Sequence, residues 1–259
     1  MNEEILLSAS HVKKKYRLNR QNTIYAVNDV SLDILKGETL ALVGESGCGK
    51  STLAKLLMRM IRADEGTITF EGREITHLSD KALLPYRKEM QMVFQDPASS
   101  LDPRMKIRDI IAEPLKTWRI YDSPQKTDDR ILELLEMVEL KEDCLDRYPH
   151  QFSGGQKQRI GIARAIAVNP RLLVCDESVS ALDVCVQAQI LNLLKKLKGQ
   201  LGLTCLFISH DLSVVSFIAD RVCVMKSGAI CEMADSKRIY KAPEHEYTRY
   251  LLSSVPGLL

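Results

Sequence analysis

Short apolar runs alternate with segments of helical period along most of this chain. The runs contain almost no polar alternation, which is typical of parallel strands that helices cover on both faces. They lie at 39–43, 90–94, 172–175 and 204–209. Apolar residues recur at helical spacing in 52–60, 107–118, 123–140 and 153–168. This order of elements predicts an α/β core.

Two parts of the chain depart from this pattern. Within residues 1–36, apolar and polar residues alternate at 6–10 and 26–32, which predicts antiparallel strands. Residues 67–70 predict a further strand that ends in a turn. Between Pro97 and about Asn169 the strand pattern disappears, which predicts a helical subdomain inserted into the core. The tail from about Gly228 predicts a small hairpin, a short helix and a polar end.

Composition narrows the class of protein. The chain has 259 residues, 45% hydrophobic and 27% charged, which suits one large domain or two lobes. The net charge is +2, and this charge alone gives no reason to expect affinity for nucleic acid. No apolar stretch approaches the ~20 residues that cross a bilayer, and the acidic start lacks a signal-peptide pattern. Seven scattered cysteines without a CxxC pair predict reduced, buried thiols of a cytosolic protein.

A glycine-rich segment follows the first predicted parallel strand and precedes a predicted helix. Its residues are Gly44, Glu45, Ser46, Gly47, Cys48, Gly49, Lys50, Ser51 and Thr52. The glycines let the backbone come close to phosphates, so that successive N–H groups form an anion nest. Lys50 can reach the β- and γ-phosphates, and the Ser51 hydroxyl can ligate Mg²⁺. The spacing therefore predicts a nucleotide-binding loop at a helix N-terminus.

Two carboxylates end the predicted strand at 172–175. Asp176 stands where a phosphate-loop enzyme needs a carboxylate for Mg²⁺, usually through water. Glu177 follows it and can polarise an attacking water as a general base. Because the chain also contains the glycine-rich segment, we interpret this pair as the second half of a nucleotide-binding site.

A second glycine-rich helix start predicts another anion site. Ser153 can cap the helix, and Gly154, Gly155 and Gln156 follow it. Read alone, the pattern also fits a simple capped helix. Two phosphate-type sites in one chain suggest that each nucleotide is shared between two subunits.

Two polar residues at strand ends are further candidates. Gln95 ends the strand at 90–94 and can ligate Mg²⁺ where the helical subdomain begins. His210 follows the strand at 204–209 and can donate a hydrogen bond to a γ-phosphate. Each, taken alone, also fits an ordinary loop residue.

Taken in order, these residues resemble the motifs of an ABC-transporter ATPase subunit. Tyr16 is similar to the A-loop aromatic that stacks on adenine, with Tyr25 the weaker candidate because the segment from Arg17 to Tyr25 is long. The other motifs are Walker A at 44–52, the Q-loop at Gln95, the signature at 152–156, Walker B at 172–177, the D-loop at 180–183 and the H-loop at His210.

The resemblance implies a fold and a set of roles. The fold is a P-loop (RecA-like) core with an antiparallel β subdomain and an inserted α-helical subdomain. Its parts are the β subdomain with the first part of the core at 1–96, the helical subdomain at 97–168, the second part of the core at 169–227 and the tail at 228–259. ATP-binding residues are Tyr16, 44–52, Gln95, 153–156, Asp176 and Asp183. Ser51, Gln95 and Asp176 would serve Mg²⁺, and Glu177, His210 and Lys50 would be catalytic.

Within that family, several stretches resemble the dipeptide, oligopeptide and nickel importer group. They are residues 92–104, 180–194, 245–248 and 251–256. Phe152, Ser178, Cys185 and Glu246 depart from the usual pattern. The chain ends at Leu259, before the cysteine-bearing extension of many relatives, so no iron–sulfur cluster is expected.

This resemblance implies a peripheral protein at the cytoplasmic face of the membrane. Its partners would be a second ATPase subunit in a head-to-tail dimer, membrane permease subunits and, indirectly, an extracytoplasmic solute-binding protein. The second ATPase subunit can be an identical or a homologous chain. The solute remains open among dipeptides, oligopeptides, nickel and cobalt, free or chelated. A soluble ABC ATPase acting on nucleic acid or ribosomes is the alternative, but the chain has neither long coiled coils nor a tandem cassette. A small-molecule kinase would have no use for 153–156.

Overall fold

The computed structural model describes residues 4–17 and 23–254. Its strands are β1 (Ile5–Arg17), β2 (Thr23–Leu35), β3 (Thr39–Val43), β4 (Glu65–Phe70), β5 (Arg73–Glu74), β6 (Met90–Val93), β7 (Leu172–Asp176), β8 (Thr204–Ser209), β9 (Arg221–Lys226) and β10 (Ala229–Asp235). Its helices are α1 (Lys50–Leu57), α2 (Asp80–Glu89), α3 (Pro97–Ser100), α4 (Ile107–Thr117), α5 (Pro124–Met137), α6 (Gly154–Ile166), α7 (Val184–Leu201), α8 (Leu212–Ile218), α9 (Ser236–Lys241) and α10 (Glu246–Ser253). Short 3-10 turns lie at Glu142–Cys144 and Pro149–Gln151.

The described residues form two compact units. The first unit comprises the chain up to Arg87 and from Thr204 onward, and the second is Lys88–Leu203. The second unit is thus inserted, in sequence, into the first. No helix in the described ranges is long and apolar enough to span a bilayer.

The first unit carries the strand that leads into the glycine-rich segment. An antiparallel sheet has the order β2-β1-β4-β5, and the other strands of this unit are hydrogen-bonded in the order β10-β9-β3-β8. The strand β3 runs parallel to β8 on one side and to β9 on the other. All of its residues are buried, as its unbroken apolar run predicts.

The second unit is built around α6. Residues Ile160, Ile162 and Ile166 of this helix are fully buried, and the helix packs on β6 and on α3, α4, α5 and α7. The strands β6 and β7 pair in parallel, with Met90 opposite Leu172. This arrangement places the end of β7 and the start of α6 in the same unit.

Most predicted elements are present, and two expectations are corrected. The antiparallel strands of the N-terminal segment are confirmed as β1 and β2. The hairpin predicted from about Gly228 begins earlier, because β9 forms its first strand and also pairs with β3. The expectation that the cysteines are buried is wrong for Cys185, which is exposed near the start of α7, and for Cys231, which is half-buried.

A buried carboxylate joins the two strand systems of the first unit. Glu38 is 7% exposed, and its side chain accepts a hydrogen bond from the Leu35 N–H at 2.7 Å. The Arg221 guanidinium donates to the same carboxylate at 3.1 Å. Burial raises the pKa of Glu38, against the opposing effect of these two donors. The end of β2 and the start of β9 therefore depend on one acidic group.

Replacing that group should destabilise the protein. We expect Glu38→Ala to lower the free energy of unfolding by about 2–3 kcal/mol, since a buried N–H and a guanidinium lose their acceptor. Lys36→Ala removes two partly exposed ion pairs, with Glu4 and Glu71, and should leave stability almost unchanged. Urea denaturation followed by circular dichroism measures both, and equal losses would contradict the role of Glu38.

Candidate functional site

The glycine-rich segment forms a tight loop between β3 and α1. Gly44, Gly47 and Gly49 have φ angles of 151°, 80° and 110°, a region that side chains rarely occupy. A Cβ at Gly44 would lie 2.1 Å from the carbonyl oxygen of Met225, and one at Gly49 would lie 2.0 Å from that of Ala26. The loop therefore has its shape because two other backbone segments press against it.

A buried lysine stands at the end of this loop. Lys50 is 4% exposed, and its Nζ donates to the carbonyl oxygens of Gly44 at 2.8 Å and Glu45 at 2.9 Å. The Cys48 sulfur lies 3.9 Å from the same Nζ. Burial raises the pKa of the Cys48 thiol, so this group stays protonated and adds no negative charge beside Lys50.

The start of α1 suits a phosphate group. Gly49 is the N-cap, and within this fully described segment no side chain caps the helix. The first N–H groups of a helix need external acceptors, and the helix dipole favours an anion there. Ser51 and Thr52 lie half-buried in the first turn. The glycine cradle, the ammonium and the hydroxyls fit the polyphosphate of ATP, with Ser51 offering an oxygen of the type that Mg²⁺ prefers.

In the second unit, the predicted carboxylate pair ends β7. Asp176 is 6% exposed. Glu177 adopts a φ of 45°, and its carbonyl oxygen accepts hydrogen bonds from the Ser180 N–H at 3.1 Å and the Ser180 hydroxyl at 2.9 Å. The Gln95 side-chain amide donates to Oε2 of Glu177 at 2.8 Å. The structure thus brings Gln95 and Glu177 together, and it shows that Ser180, the first residue of the D-loop candidate, holds the Glu177 turn.

The predicted capped helix start is formed at α6. The Ser153 hydroxyl accepts a hydrogen bond from the Gln156 N–H at 3.3 Å, and the Gln156 side-chain oxygen accepts one from the Ser153 N–H at 3.0 Å. This reciprocal pair is a capping box. Ser153, Gly154 and Gln156 are exposed, so the beginning of the helix is open to a ligand from outside.

The two glycines at the beginning of α6 face the start of α7 and the residues just before it. A Cβ on Gly155 would lie 2.5 Å from Cγ1 of Val186, and one on Gly154 would lie 3.2 Å from Cδ2 of Leu182. The Asp183 side chain caps α7 by accepting a hydrogen bond from the Val186 N–H at 3.0 Å. The D-loop candidate and the signature candidate are therefore in contact. The contact was not predictable from sequence, because nothing in the spacing of the two motifs shows that they pack on each other.

The remaining candidates lie in the first unit. Tyr16, near the end of β1, is 43% exposed and Tyr25, in β2, is 45% exposed. The Lys14 ammonium lies 5.7 Å from the centre of the Tyr16 ring. Part of the segment between the two tyrosines, 18–22, lies outside the described residues. His210 is exposed directly after β8.

Each unit therefore contains part of the predicted site. The first unit holds Tyr16, residues 44–52 and His210, and the second holds Gln95, residues 153–156, Asp176, Glu177 and Asp183. Within the described residues no cluster of three or more histidine, cysteine or acidic side chains that could hold a metal ion is found.

Comparison with known proteins identifies the family. The family model described as ABC transporter matches residues 27–180. The putative oligopeptide transport ATP-binding protein YkfD of Bacillus subtilis is 49% identical over 97% of this chain and 76% of its own length. This chain belongs to the ABC transporter family. The dipeptide transport ATP-binding protein DppF of Lactococcus lactis subsp. cremoris is 50% identical over 90% of this chain and 75% of its own length.

A solved structure supports the fold of this ABC protein. The ATP-binding cassette MJ0796, in a dimeric post-hydrolysis state bound to ADP and Pi, superposes with a TM-score of 0.81 at 32% identity. The match covers 89% of this chain and 99% of that cassette. The predicted family and fold class are confirmed, and so is the enzyme class of an ATPase coupled to transport.

The loop geometry predicts that substitution by alanine destabilises the protein more at Gly49 than at Gly47. Gly47→Ala should lower the free energy of unfolding by about 1 kcal/mol, because the left-handed backbone is strained but the space around it is open. Gly49→Ala should lower it by roughly 3 kcal/mol or more, because the methyl group meets a backbone oxygen. Thermal and urea denaturation of the two variants compare these effects, and equal stability would contradict the close approach at Gly49.

Proposed function

We propose that this chain binds and hydrolyses ATP to power an importer of oligopeptides or dipeptides. The contact that carries the proposal is the hydrogen bond from Gln95 to the Glu177 carboxylate, held at the end of β7 by the Ser180 turn. It joins the residue proposed as general base to the residue at which the helical segment begins. The names of the relatives favour peptides over nickel or cobalt.

The chemistry follows from the groups that the chain supplies. Glu177 accepts a proton from the attacking water, and its turn keeps the carboxylate in place. Lys50 offsets the charge that develops on the transferred phosphoryl group. His210 donates a hydrogen bond to the γ-phosphate. Ser51, Gln95 and Asp176 would hold Mg²⁺, which neutralises phosphate charge when bound.

We further propose a head-to-tail dimer in which each ATP is shared. The exposed start of α6 would contact the nucleotide bound to the phosphate loop of the other subunit, through Ser153 and Gly155. The exposure of this helix start and the affinity of helix N-termini for anions support this role, as does the dimeric state of the related cassette bound to ADP and Pi. Asp183, which caps α7 beside this helix start, would lie close to the same interface.

The partners of the chain follow from its proposed role. Membrane permease subunits would bind the helical subdomain, which we place at 97–168 between the core parts 1–96 and 169–227, with 228–259 as the tail. A solute-binding protein outside the membrane would act indirectly. The protein would be peripheral at the cytoplasmic face. A pull-down of the permease subunits would identify the solute.

Removing the proposed base should separate binding from hydrolysis. Glu177→Gln keeps the size of the side chain and should retain ATP binding while lowering the hydrolysis rate at least 100-fold. The variant should also accumulate as an ATP-bound dimer in size-exclusion chromatography. The control is Glu136→Gln, which changes an exposed carboxylate of α5 in the same unit. Full turnover by Glu177→Gln would exclude this role.

A shared site predicts that hydrolysis requires two chains. The hydrolysis rate per chain should rise with protein concentration, whereas the fraction of chains with bound ATP at a given ATP concentration should not. Ser153→Arg should block the facing site and lower hydrolysis at least tenfold, while the variant's own phosphate loop still binds ATP. Ser123→Arg, at the half-buried N-cap of α5, is the matched control. Isolated monomers that turn over at the full rate would contradict the shared site.

A further inference from the structure

A helix near the end of the chain contacts the phosphate loop through one side chain. The Tyr247 hydroxyl accepts a hydrogen bond from the backbone N–H of Glu45 at 3.2 Å, across 202 residues of sequence. Tyr247 belongs to α10 and is only 5% exposed. In sequence, residues 245–248 indicated only a subgroup of the family. The contact gives this segment a physical role.

The position of Tyr247 is fixed from several sides. The Lys226 ammonium lies 4.7 Å from the centre of its ring. The Nδ1 atom of His245 accepts a hydrogen bond from the Tyr247 N–H at 3.0 Å, which caps α10. The Glu232 carboxylate accepts from the N–H groups of Glu244 at 2.8 Å and His245 at 3.0 Å. The tyrosine is therefore held in place by β9, by β10 and by its own helix start.

The hairpin of β9 and β10 holds a second point of the same loop. The Gly228 N–H donates to the carbonyl oxygen of Cys48 at 2.9 Å, and the Met225 carbonyl fills the space beside Gly44. Thus the C-terminal segment engages one N–H and one carbonyl of the loop. The loop therefore keeps its curvature through contacts with other parts of the protein.

Tyr247 differs from Lys50, which also contacts the Glu45 backbone. The Glu45 carbonyl accepts from the Lys50 ammonium at 2.9 Å, and a triphosphate competes for that same ammonium. The Tyr247 hydroxyl is neutral, because burial raises the pKa of the phenol, and it binds the N–H side of the residue. The hydrogen bond of Tyr247 does not involve the Lys50 ammonium, for which the triphosphate competes.

We propose that Tyr247 is a positioning residue for ATP binding, which holds the Glu45 backbone so that the phosphate loop is formed before the triphosphate arrives. This inference rests on the proposed role of residues 44–52 as the ATP phosphate loop. Pre-organisation acts on affinity, because a protein whose binding-competent state is less populated binds its ligand more weakly. It leaves the hydrolysis step itself unchanged.

The test compares two removals of a hydroxyl from one helix. Tyr247→Phe deletes the acceptor and keeps the ring, whereas Tyr250→Phe alters the neighbouring ring, which stacks on Tyr247 with centroids 6.4 Å apart and is 60% exposed. The full 259-residue chain is used. Amide hydrogen exchange reports the Glu45 N–H, calorimetric titration with Mg²⁺ and the β,γ-imido analogue of ATP gives the dissociation constant, and steady-state hydrolysis gives kcat and KM.

Tyr247→Phe should speed exchange at Glu45 and raise the dissociation constant about two- to fivefold, the effect of one net hydrogen bond. KM for ATP should rise by a similar factor while kcat stays the same. Tyr250→Phe should resemble the wild type in all three measurements. Unchanged exchange at Glu45, equal affinities of the two variants, or a fall in kcat at constant KM would each overturn the role of Tyr247. A wild-type chain that fails to bind the analogue would instead overturn the proposed ATP site.

Discussion

The close approach of three backbone segments at the phosphate loop is the constraint on which this site depends. The carbonyl oxygens of Ala26 and Met225 occupy the space where side chains of residues 49 and 44 would lie. Glycine is the only residue that fits at both points, since the φ angles there are also positive. The loop is therefore shaped by β2 and β9, which belong to the two strand systems of the first unit.

The second unit uses a different device to present its chemistry. Glu177 has a left-handed backbone, which is uncommon for a residue with a side chain. Two hydrogen bonds from Ser180 to its carbonyl oxygen stabilise the turn, and Gln95 engages its carboxylate. Backbone strain of this kind is concentrated at functional positions because surrounding contacts maintain it. Here the contacts from Ser180 and Gln95 hold the Glu177 carboxylate in place at the end of a buried strand.

Local signals in the sequence predicted much of the fold and most of the candidate site. The unbroken apolar runs gave β3, β6, β7 and β8 to within a residue or two, because buried parallel strands tolerate no polar alternation. The spacing of Gly44, Lys50 and Ser51 was sufficient for the loop. Long-range pairing was not predictable. No pattern in the sequence of β9 indicates that it pairs with β3, and none around Gly155 indicates that it packs against Val186. Such features depend on tertiary packing rather than on local pattern.

In the tail, residues 245–248 stand out in sequence, but the residues that they contact lie far away along the chain. Residues 245–248 indicate a subgroup of the family, and nothing in their spacing points to a loop 202 residues earlier. In the structure, β2 limits the loop at Gly49, the β9–β10 hairpin holds it at Cys48, and α10 holds it at Glu45. Each segment engages a different backbone group, so these contacts act together on one conformation. Changes in the tail can therefore alter nucleotide affinity without contact with the nucleotide.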